Sequence, residues 1–173
     1  MNAVFHSSVS VVHVAAAGLA LVAGTYALLG PKGTRRHFYS GRLYVGSMVV
    51  VLWTAFHLYF LFGHFGIVHW GAVGSGLALL VGTGAVAGQR AVPGWRQWHY
   101  LGMGTSLTGV YATFVVESTY RLFPATYFWW STLGPGCVVL LTGAWLLWRH
   151  WPRPAVSGRP LRVAISKAQA RLS

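Results

Sequence analysis

The sequence predicts an all-α integral membrane protein with five transmembrane helices, and three observations carry the prediction. Of its 173 residues 55% are hydrophobic, only 8% are charged, and five apolar stretches reach the length of a bilayer crossing. Soluble domains have roughly a quarter of their residues charged, so this chain has too little polar surface to coat a particle in water. The hydrophobicity and the 15% of aromatic residues also exclude disorder. The single cysteine, Cys137, excludes an intrachain disulfide scaffold.

A bilayer core about 30 Å thick takes roughly 20 apolar residues per helix. The first stretch, about 9–30, follows no basic residue and is too long for the h-region of a signal peptide, so it is expected to stay in the mature chain. Pro31–Arg42 leads to the second, about 43–63, and a tight turn at Gly63–Val68 to the third, about 67–88. Gln89–Gln97 precedes the fourth, about 98–120, and Arg121–Trp130 the fifth, about 131–151. Every break contains Gly or Pro, which end helices for steric reasons. Residues 1–151 thus form one transmembrane domain and 152–173 a basic tail. In the tail Leu161, Ala164, Ile165, Ala168 and Leu172 share one helical stripe, which suits an amphipathic helix on an anionic leaflet as well as a frayed end.

The charge predicts orientation. Lys32, Arg35, Arg36 and Arg42 follow the first span, Arg90 and Arg96 the third, and Arg149, Arg153, Arg159, Arg162, Lys167 and Arg171 the fifth, so twelve of the thirteen basic residues lie on one face and only Arg121 opposite. Lys and Arg accumulate on the cytoplasmic side, which puts the N-terminus outside and the C-terminus in the cytoplasm. Topology therefore accounts for the net charge of +12, and a nucleic-acid partner, which needs a basic face with polar neighbours, is not expected. The lipid bilayer is the partner the composition requires.

A repeat organises the first four spans. The run from Gly18 to Gly24-Thr25 recurs from Gly76 to Gly82-Thr83, His13-x4-Gly18 is echoed by His69-x4-Gly74, and Arg36-His37-Phe38-Tyr39 by Gln97-Trp98-His99-Tyr100, at offsets drifting from 56 to 62 residues. Two helices per copy make a parallel repeat with an axis along the membrane normal. The core is then a four-helix bundle with the fifth helix outside it.

The symmetry pairs His13 with His69 at the outer face and His37 with His99 at the inner. Ala16, Ala17, Ala20 and Gly24 continue the face of His13, and Ala72 and Gly76 that of His69, leaving a flat slot of the kind a b-type haem needs between two imidazoles. Arg35 and Arg36 lie where propionates would find cations. The same small residues are also the ordinary means of close helix packing in membranes, and histidines at a membrane boundary also serve as interfacial groups. His6, His64 and His150 read as loop or boundary residues. His57, counted as buried in the second span, is a candidate proton relay or quinone partner. Glu117, the only acid, precedes Arg121 by four residues, the favourable order for a helix ion pair; it is also a candidate proton acceptor.

This placement resembles that of the transmembrane di-haem cytochromes b, in which two histidine pairs in a four-helix core hold one haem near each face. Three segments also resemble a family of predicted bacterial membrane proteins of unknown function: His13-x4-Gly18; Lys32-Gly33-x3-His37-x3-Gly41-Arg42-x-Tyr44 running to Met48; and Trp98-His99-Tyr100-x2-Met103 running to Glu117-x3-Arg121. That resemblance covers most of the four-helix core, implies a bacterial inner membrane, and marks His13, His37, His99, Glu117 and Arg121. His57 and His64 are additions to its pattern.

These readings make a membrane oxidoreductase or electron carrier with bis-His haem b, and with quinone as a second cofactor, the first expectation. A proton-coupled carrier using His57 and Glu117 is the second, and a non-catalytic anchor or assembly subunit of a larger complex, or an oligomer, the third. One carboxylate allows no acid dyad, and Cys137 in an apolar span lacks the setting of a reactive thiol.

Overall fold

The computed structural model describes residues 8–58, 63, 65–120 and 122–152, and every regular element among them is helical. Five long helices follow in order: α1 (Ser8–Leu29), α2 (Arg35–Ala55), α3 (Ile67–Ala87), α4 (Trp95–Tyr120) and α5 (Gly134–Arg149). A 3-10 turn at Ala125–Tyr127 and a π-helical turn at Phe128–Leu133 lead into α5. Three segments are long and apolar enough to cross a membrane: Ser8–Leu29, Ile67–Ala87 and Trp129–Arg149.

The most extensive packing is within two antiparallel hairpins, α1 with α2 and α3 with α4, which coincide with the two copies of the repeat. Each hairpin turn contains a glycine in the left-handed region, Gly33 at φ 76° and Gly94 at φ 69°, where a Cβ would be strained. Lesser contacts join α1 to α4 and α2 to α3, so α1 faces α3, and α2 faces α4, across the diagonals. All four contribute to one core of Ala20, Ala23, Tyr44, Met48, Leu79, Leu107 and Val110. Large apolar side chains point outward instead, among them Val22, Trp53, Leu80 and Phe114. An exterior of large apolar side chains around the packed bundle is the arrangement expected in lipid. Helix α5 packs chiefly against α4, with the Tyr100 hydroxyl donating to the Leu147 carbonyl at 3.3 Å.

The second helix differs from expectation. It spans Arg35–Ala55, where the sequence pattern predicts about 43–63. Excluding Arg from a span moves its predicted start past Arg42, whereas a helix tolerates arginines near its end when their stems lie along apolar surface; the Arg42 guanidinium stacks 4.0 Å from the Phe38 ring centroid. Thr34 sets the start by accepting from the His37 backbone N–H at 3.2 Å. The shift removes His57 from the span. It stands exposed in the turn after α2, with Nδ1–H donating to the Trp53 carbonyl at 2.8 Å, so it is not a buried relay. The alternation of helix direction brings Lys32, Arg35, Arg36, Arg42, Arg90, Arg96 and Arg149 to one end of the bundle. Residues 153–173, with the tail helix expected there, and Arg121 and His64 lie outside the described residues.

Candidate functional site

At the basic end the bundle brings two histidines together across a diagonal. His37 is the third residue of α2, and His99 lies just over one turn into α4. Each ring reaches back to the preceding helix of its own hairpin: His37 Nδ1–H donates to the Ala27 carbonyl at 3.1 Å, and His99 Nδ1–H to the Gly82 carbonyl at 2.9 Å. The second bond needs α3 and α4 to approach closely, which Gly82 and Gly102 allow; a Cβ on Gly102 would lie 2.6 Å from both the Ala78 carbonyl oxygen and Gly82 Cα. The His37 and His99 ring centroids are 6.3 Å apart with their planes at 87°.

A carbonyl can only accept. In the neutral rings both protons are therefore on Nδ1, leaving an unprotonated Nε2 on each. Imidazoles that bind metal through one nitrogen characteristically donate the other to a carbonyl or carboxylate. A metal–imidazole bond of about 2.0–2.1 Å puts the ring centroid roughly 3.2 Å from the metal, so two rings in line on one ion have centroids roughly 6.4 Å apart. The His37–His99 spacing fits that requirement. Among the described residues no three His, Cys, Asp or Glu side chains converge as a metal site, so a metal held here needs its remaining ligands from elsewhere, as a haem iron has them from its macrocycle. Arg36 borders the same region, lining with His37, Tyr26 and Tyr111 a groove of about 670 Å³; Arg35 is exposed.

At the opposite end His13 and His69 are both buried and line one cavity of about 360 Å³ together with Glu117. Their protons are arranged differently. His13 Nδ1 is 2.7 Å from Thr54 Oγ1, and that hydroxyl donates to the Val50 carbonyl at 2.7 Å, so it accepts from His13 Nδ1–H and the His13 Nε2 is unprotonated. His69 Nδ1 instead accepts the backbone N–H of Gly66 at 3.1 Å, which places its proton on Nε2. That is the opposite tautomer from the one an iron ligand needs.

Between the two ends a buried hydrogen bond joins the diagonals. The Tyr44 hydroxyl is 2.8 Å from Ser106 Oγ; Tyr44 follows His37 by seven residues, and Ser106 follows His99 by seven. Sequence reasoning missed this pair and the Thr54 partner of His13, although the shared offset of 62 residues marks Tyr44 and Ser106 as equivalent repeat positions. The structure thus gathers His37 with His99, and His13 with His69 and Glu117, and leaves His57 and His150 on the surface. His150 Nδ1–H donates within its own helix end, to the Leu146 carbonyl at 3.0 Å. The expected Glu117–Arg121 pair lies outside the described residues because Arg121 does. Comparison with family models, curated proteins and solved structures finds no match to the chain.

Proposed function

We propose that this chain is an electron-transfer protein of the bacterial inner membrane, with all five long helices crossing the bilayer and a b-type haem held between His37 and His99. The observation that carries the reading is the His37–His99 pair: two imidazoles from diagonal helices, 6.3 Å apart between centroids, each with Nδ1–H fixed by a carbonyl of its own hairpin. Supporting it are the adjacent guanidinium of Arg36, a cation for a propionate, and the likeness of this pairing to the transmembrane di-haem cytochromes b. When bound, such a group supplies one-electron chemistry at a potential set by its axial ligands and their hydrogen bonds.

The protein's own part is orientation. Ala27 and Gly82 hold the two rings in the ligating tautomer, and the packing of Tyr44 and Met48, both essentially inaccessible, closes the interior behind them. The collection of basic residues at one end favours a cytoplasmic location for that end and an external N-terminus. The positions of α2 and α4 within the bundle support their crossing alongside the three more apolar segments, with their polar starts at the headgroup level. The test is an absorbance spectrum, oxidised and dithionite-reduced, of protein purified from haem-replete cells. A b-type spectrum is expected, abolished by His37→Ala or His99→Ala; a colourless preparation overturns the reading.

A further inference from the structure

We propose that the cavity opposite the basic end binds a neutral, lipid-soluble hydroquinone ring, bracketed by His13 as hydrogen-bond acceptor and His69 as donor. The repeat makes His13 and His69 equivalents, yet their hydrogen bonds leave them with opposed protonation: His13 donates through Nδ1 to Thr54, while His69 accepts through Nδ1 from Gly66. An iron between them would need the same unprotonated nitrogen on both. A ligand carrying both a hydroxyl and an oxygen acceptor needs one of each.

The remaining walls agree. At about 360 Å³ the cavity is within the range of small-molecule sites, about 300–1,000 Å³, which are mostly apolar with a few placed polar groups. Ala17, Gly18 and Ala72 leave room for a flat ring, and Glu117 and Thr113 add polar atoms. Burying a charged ligand among such walls carries a large desolvation cost, so the occupant is neutral. All four core helices line the cavity, so a ring compound dissolved in the bilayer is the natural supply. The inference uses the membrane-spanning reading of these helices but not the haem.

The test is equilibrium binding to the full chain in nanodiscs, using a benzohydroquinone with one short alkyl tail and its dimethyl ether, which has the same ring but no hydroxyl to donate. Saturable binding of the hydroquinone is expected, weaker for the ether by about tenfold or more, the loss of one buried hydrogen bond. His13→Leu is expected to weaken hydroquinone binding to a similar degree, and His13→Gln, which restores an acceptor, to recover most of it. Absence of saturable binding, equal binding of the ether, or unchanged binding by His13→Leu overturns the proposal. Because the ether comparison uses the unaltered chain, it decides the matter even if His13→Leu does not fold. The haem spectrum read on the same sample separates the two readings: a colourless protein that binds the hydroquinone overturns the haem assignment alone, and a coloured one that does not bind overturns this site alone.

Discussion

Gly102→Ala tests the link between helix packing and the histidine pair. The added methyl would lie 2.6 Å from the Ala78 carbonyl oxygen and from Gly82 Cα, whereas ordinary contacts begin at 3.4 Å; both neighbours are backbone, so no side chain can turn away. The Gly82 backbone nitrogen lies closer still, so helices α3 and α4 must part by at least about 0.8 Å to regain contact distance. Moved by that amount, the 2.9 Å bond from His99 Nδ1 to the Gly82 carbonyl lengthens to about 3.7 Å, outside the roughly 2.7–3.2 Å range of such bonds. Overpacking and the lost bond together cost roughly 2–4 kcal/mol, a fall in melting temperature of roughly 5–15 °C for a chain of this size. Release of His99 from its partner is expected to weaken metal binding by about 10–100-fold. The assay is thermal unfolding in detergent, followed alongside the haem absorbance. Gly84→Ala is the control, because nothing lies within 4 Å of a Cβ there, and it should match or slightly exceed the parent in stability. If Gly102→Ala melts with the parent and retains full absorbance, or if Gly84→Ala falls as far, the account of the close approach is refuted.

Two further predictions concern the buried polar groups. Tyr44→Phe leaves the fully buried Ser106 hydroxyl without its partner, at about 1–3 kcal/mol, and adding Ser106→Ala should recover part of that; strictly additive losses in the double-mutant cycle would show that the two hydroxyls do not interact. Nitrogen NMR of labelled imidazoles should find His13, His37 and His99 protonated at Nδ1 and His69 at Nε2, and the same tautomer at His13 and His69 would remove the basis for their different roles.

Much of this architecture was legible because hydrophobic length and glycine breaks act locally. The starts and ends of α1 and α3 fall within about two residues of the sequence expectation, and the pairing of helices into hairpins follows from the repeat. The start of the second helix is not legible from the rule that arginine avoids a span, because Thr34 caps the helix at Arg35 and Arg42 is accommodated within it by stacking on Phe38. That rule places His57 in a span, whereas α2 ends at Ala55 and His57 lies in the turn that follows. Pairing of His37 with His99 was readable from symmetry alone. Their carbonyl partners were not, since Ala27 and Gly82 act through main-chain oxygens that carry no sequence signature.

His37 and His69, which occupy non-equivalent places in the repeat, show how the residue that caps a helix start can set the chemistry of a histidine beside it. Each is the third residue of its helix, after Thr34 in α2 and after Gly66 in α3. Threonine has a hydroxyl to accept an orphan N–H of the helix start, and it does so at His37 N, 3.2 Å away; the His37 ring is then free to reach α1. Glycine has no such group, and the His69 ring turns back to accept the Gly66 N–H itself, completing one half of a capping box. That choice fixes the proton on His69 Nε2. The cap residue thus goes with a ring whose Nδ1–H donates to the preceding helix in one case and a ring whose Nδ1 accepts from its own cap in the other.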